Sequence, residues 1–223
     1  MANTTHGNFH PTALAAVNEA LAVLGQDVTL TAETFSVASS DAHGRKAAYL
    51  YESSRVRVLR DHAWSFARRE LDVAPGGSSL PCPAHGGPEA AFPFRYARPP
   101  RCARVLSCFG PDGLAVHHRL VANEVQADAP VARIAYVADV EDLEKWSPDA
   151  YRALVLRLAA DLAKPITGRV NERQLQEQAY ADQLAAAKLN DARETNVPYD
   201  AYGDNHFASV MRGDFRAMPP WRR

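Results

Sequence analysis

Ser147-Pro148-Asp149-Ala150-Tyr151-Arg152-Ala153-Leu154-Val155-Leu156-Arg157-Leu158-Ala159-Ala160-Asp161-Leu162-Ala163-Lys164 is the stretch on which the fold turns. Ser147 is a good N-cap, because its hydroxyl can take up an otherwise orphaned amide. Pro148 suits the first helical turn, where no donor is needed. Tyr151, Leu154, Val155, Leu158 and Leu162 then repeat at helical spacing. They form an apolar face broad enough to sit inside a core. Pro165 and Gly168 are read as its end.

Outward from this helix, the pattern changes on both sides. Residues 169–195 read as a long mixed-charge helix that would span ~40 Å. Its apolar face, Leu175, Ala179 and Leu189, is thin, so the helix needs support from another helix or another subunit. Near the N-terminus, Leu14, Val17, Leu21 and Leu24 mark a helix between Pro11 and Gly25. A second runs from about Asp41 to the Trp64 region, with Gly44 blurring its start. Between these helical ends lies a breaker cluster, Gly76, Gly77, Pro81, Pro83, Gly86, Gly87 and Pro88, read as a long surface loop. Short β-runs follow at 92–97, 102–109, 116–121 and 131–140, with a turn at Gly110-Pro111-Asp112-Gly113. They predict a small antiparallel sheet.

The expected fold is therefore α+β: a helical bundle built from both chain ends, with a small antiparallel β domain inserted in the middle and an extended C-terminal tail. The expected divisions are 1–67 (N-terminal bundle helices), 68–140 (β-rich insertion), 141–195 (C-terminal bundle helices) and 196–223 (tail). The tail scatters Tyr199, Tyr202, Phe207, Met211, Phe215 and Trp221 among Gly, Pro and Asp. That is too aromatic for a solvating tail and too irregular to fold alone, so it reads as a docking segment.

Composition bounds the function. The 223 residues are 47% hydrophobic, and 25 Lys plus Arg against 26 Asp plus Glu leave a formal charge of −1. That balance gives no bulk attraction to nucleic acid or to an anionic membrane. No apolar run is long enough to span a bilayer, and no signal peptide is expected at the N-terminus. Three cysteines at irregular spacing do not make a disulfide framework. A phosphate-binding Gly-rich loop, a Gly-x-Ser-x-Gly elbow and a His-Glu-x-x-His pair are all missing, so neither an enzyme nor a cofactor is expected.

Several residue groups still invite a chemical reading. Cys82, His85, Cys102 and Cys108 could hold zinc, which would support a zinc- or nucleic-acid-binding protein or enzyme as the alternative. Strand alternation, however, puts Cys102 and Cys108 on one face, and a buried thiol is the simpler account. His117 and His118 are adjacent on a strand and should face opposite ways. Asp139, Glu141, Asp142 and Glu144 precede the Ser147 helix start, while Arg95, Arg98, Arg101 and Arg104 carry no acid between them. These acidic and basic groups read as intersubunit charge pairs, in preference to a phosphate site. Trp64, Phe66, Tyr96 and Trp146 read as core anchors.

One ordered series of residues resembles a known family. It runs Ala16-Val17-Asn18-Glu19-Ala20-Leu21 with Leu24-Gly25, then His62-Ala63-Trp64-Ser65-Phe66-Ala67. Phe94-Arg95-Tyr96-Ala97 follows, with Pro99 and Cys102-Ala103-Arg104-Val105. Ile134 to Val140, Trp146, Leu158 to Ala163 and Tyr180 to Ala192 complete it. The series resembles the tail tubular protein A family of short-tailed bacteriophages (podoviruses), the head-to-tail adaptors or gatekeepers, over roughly residues 12–195. The loop 75–93 is longer than expected for the family, Arg98 stands where an apolar residue is usual, and Arg101 where an acid is usual. The resemblance implies a structural virion component, assembled in the host cytoplasm. Its implied partners are copies of itself in a twelve-fold ring, the portal protein, a nozzle resembling tail tubular protein B, and tail fibres. DNA would pass through the ring during ejection without sequence-specific binding.

Overall fold

A computed structural model describes residues 11–73 and 91–194. The described residues form four helices and two small antiparallel sheets, a mixed α+β fold. The helices are α1 (Ala13–Val23), α2 (Ala42–Asp61), α3 (Pro148–Thr167) and α4 (Val170–Glu194). The strands are β1 (Arg68–Asp72), β2 (Phe94–Ala97), β3 (Cys102–Phe109), β4 (Ala115–Val116), β5 (His118–Val121), β6 (Glu124–Ala127) and β7 (Arg133–Ala138).

Helix α3 is the hub. Ser147 caps it, its Oγ accepting from Ala150 N at 3.3 Å. Leu154, Val155, Leu158 and Leu162 are fully buried, and α1, α2 and α4 all pack against it. Pro165 does not stop it. The ring costs one backbone bond, but in the last turn Gly168 N still reaches Lys164 O at 3.1 Å, and the helix runs to Thr167. Gly168, at φ +69°, makes the turn out. Helix α1 buries Val17, Leu21 and the adjoining Leu24 as its periodicity predicts. Helix α2 starts at the Asp41 cap, whose carboxylate accepts from Gly44 N at 2.6 Å. Gly44 is there because of a close approach: a Cβ would lie 2.0 Å from the carbonyl oxygen of Thr34.

The strands divide more than the sequence pattern indicates. One sheet has the order β1-β7-β3-β4, the other β2-β6-β5. The 116–121 run is not one strand. It changes sheets at His117, leaving β4 paired to β3 and β5 paired to β6. Strands β1 and β6 escape the pattern altogether. β1 reads Arg-Arg-Glu-Leu-Asp and is almost wholly exposed, so it is a strand only because β7 offers a ladder to it. Two cores result. The larger joins the four helices to Ala103 and Val137 of the first sheet. The smaller lies between the sheets and holds Tyr96, Cys102, Val105, Cys108, Val125 and Ile134. Register shifts between Cys102 and Arg104, and between Val105 and Ser107, explain why β3 sends every third residue into that core.

Candidate functional site

The most highly connected polar site is the junction between α2, the β2–β3 turn and the end of β7. Arg55 on α2 is 2% exposed. Its Nη1 donates to Asp139 Oδ1 at 2.5 Å and to Val140 O at 3.0 Å, while Nη2 donates to Glu52 Oε2 at 2.7 Å. Burial opposes the Arg55 charge, but the bonds to Asp139 and Glu52 outweigh it and raise the guanidinium above its ordinary pKa. Asp139 also fixes the turn: its N–H donates to Arg101 O at 2.6 Å. Arg101 sits at φ +51°, a left-handed conformation that is unusual for a side-chain-bearing residue. Its guanidinium meets Glu141 at 2.6 Å, with both partners largely in solvent.

The arginines singled out in the sequence do not gather on one surface. Arg95 lies 3.9 Å from Glu124. Arg98 donates to the carbonyls of Cys102 and Ala103. Arg104 donates to Arg60 O at 2.9 Å, at the end of α2. On the acidic side, Asp142 pairs with Lys145 at 3.1 Å and accepts from Glu144 N. The Lys145 bond, then the Glu144 amide, hold the Asp142 carboxyl below its ordinary pKa. Within one chain, then, the two charged groups meet at Arg101, Asp139 and Glu141.

The aromatic anchors sit just behind this junction. Trp64 is fully buried and donates to Val58 O at 2.8 Å. Phe66 stacks on it at 6.0 Å and meets Trp146 at 5.4 Å. Trp146 Nε1 donates to Val140 O, the carbonyl that also receives Arg55. Tyr96 belongs to the smaller core, where its hydroxyl accepts from Val131 N at 2.8 Å.

Helix α4 corrects the sequence reading. Leu175 and Leu189, expected on its packed face, are 61% and 54% exposed. Ala179 packs partly buried against the core as expected, but the most deeply buried positions are Gln176, Tyr180, Ala187 and Asp191. The seam is held largely by side-chain bonds. Tyr180 donates to Asp61 at 2.7 Å beneath the Arg157 guanidinium. Asp191 accepts from Ser65 N and Oγ at 3.2 and 2.7 Å, and lies 3.0 Å from His62 Nε2. Asn190 donates to Asp149 at 2.8 Å. Deeper in, Arg157 pairs with Asp161, which also accepts from Ser54 Oγ at 2.7 Å. Burial, then the Asp61 bond, push the Tyr180 phenol above its ordinary pKa. Tyr180 and Asp61, Asp191 and its partners Ser65 and His62, and Ser54 and Asp161 are each more than a hundred residues apart in sequence, so no local pattern announces them.

Cys102 and Cys108 are buried and free, and burial pushes the Cys108 thiol up to about 12, so it stays protonated near neutral pH. No group of three or more His, Cys, Asp or Glu ligands occurs among the described residues. Cys82 and His85 lie outside the described residues, as do the tail positions Tyr199, Tyr202, Phe207, Met211, Phe215 and Trp221. His117 is exposed and His118, the first residue of β5, is half-buried. A shallow hollow of about 450 Å³ opens at the tip of the β region, lined by Gly110, Leu114, His117, Asp128 and Pro130 among others. No helix of the described residues is long and apolar enough to cross a membrane.

Searches for related sequences add no family name: no protein-family model matches the chain, and no curated protein matches it significantly.

Proposed function

We propose that this chain is a structural head-to-tail adaptor of a virion, a tail tubular protein A-like subunit that forms a ring between portal and nozzle. On this reading it is a conduit for DNA and not an enzyme. The helices of both chain ends form one bundle, with the β region as an insertion. The observation that carries the proposal is the ordered motif series. Its separated members His62, Trp64, Phe66, Asp139, Trp146, Tyr180 and Asp191 converge on one junction, where they bond or stack with one another and with Arg55, Asp61 and Ser65. That members dispersed in sequence pack together in space supports reading them as one structural unit, as the resemblance implies. The exposed Arg101–Glu141 pair and the charges around it would serve at copy-to-copy contacts, and the tail from Tyr199 to Trp221 would dock on the portal or nozzle.

Affinity capture on an assembled portal ring tests this. The full chain is expected to bind. A chain lacking residues 199–223 is expected to fold but lose portal binding. Equal portal occupancy by the truncated chain overturns the tail assignment, and failure of the full chain to bind any portal or nozzle protein overturns the adaptor reading.

A further inference from the structure

We draw no further inference here: the strongest candidate, the outward edge of strand β5 with Leu120 and Val121 exposed beside it, carries none, because nothing in the structure shows what covers it.

Discussion

Replacing Arg55 by Met removes the one cation that ties α2 to the end of β7. The side chain is 2% exposed, and its partner Asp139 is 26% exposed. Breaking a fully buried ion pair from one side costs roughly 3–5 kcal/mol, mostly because the remaining charge is left without compensation. Asp139 retains some contact with water and Glu52 is well exposed, so the lower limit applies, about 3 kcal/mol. Asp139→Leu alone should cost less, about 1–2 kcal/mol, since Arg55 keeps Glu52 and the Val140 carbonyl. The double variant Arg55→Met/Asp139→Leu removes both charges, and should lie within ~1.5 kcal/mol of wild type. Urea unfolding followed at 222 nm supplies all four corners of the cycle, with a coupling of at least ~2.5 kcal/mol expected. A loss below about 1 kcal/mol for Arg55→Met, or a double variant as unstable as the sum of the singles, would refute the account of this junction.

Gly44→Ala should destabilise by about 2 kcal/mol or more in the same urea assay, because the new methyl would press into the Thr34 carbonyl. Ala122→Gly should stabilise by about 1 kcal/mol, since Ala122 holds φ +51° in the β5–β6 turn; a lower melting temperature would contradict this. Stability should also fall in alkali. The Cys108 thiol is raised from 9.0 to about 12, so above pH 9 the unfolded chain loses a proton that the native chain keeps, and the unfolded state gains. Tyr51, raised from 10.0 to about 12, adds to the slope above pH 10. Cys108→Ala should flatten the part between pH 9 and 10, and native Cys108 should resist iodoacetamide at pH 8.5 until urea is added.

Helix α3 could be read from sequence because the local signals agreed at all but one position: the Ser147 cap, Pro148, a wide apolar face and Gly168 beyond it, with only Pro165 signalling an earlier end than Thr167. Agreement of local signals also made α1 and the Gly110–Gly113 turn legible. Strand β1 could not be read, because Arg68 to Asp72 carry no alternation and take strand form only from β7. The division of 116–121 between two sheets was equally hidden, because alternation shows which residues face a core but not which of two cores. The packed face of α4 was legible at Ala179 but not elsewhere, since Leu175 and Leu189 are exposed. Its seam is polar, and hydrophobic spacing fixes on Leu175 and Leu189 when the partners are Tyr180 with Asp61 and Asp191 with Ser65. The acidic and basic groups were legible as groups. That Asp139 would be engaged by Arg55 was not, since Arg55 lies 84 residues away on α2.

Side-chain-resolution imaging of the short-tailed virion to which the proposal assigns this chain tests the central proposal most directly. The proposal predicts a ring of this chain between portal and nozzle, with density that fits the Arg55–Asp139 junction and the α3 hub in every subunit. A particle complete in portal and nozzle that contains no copy of this chain would contradict it.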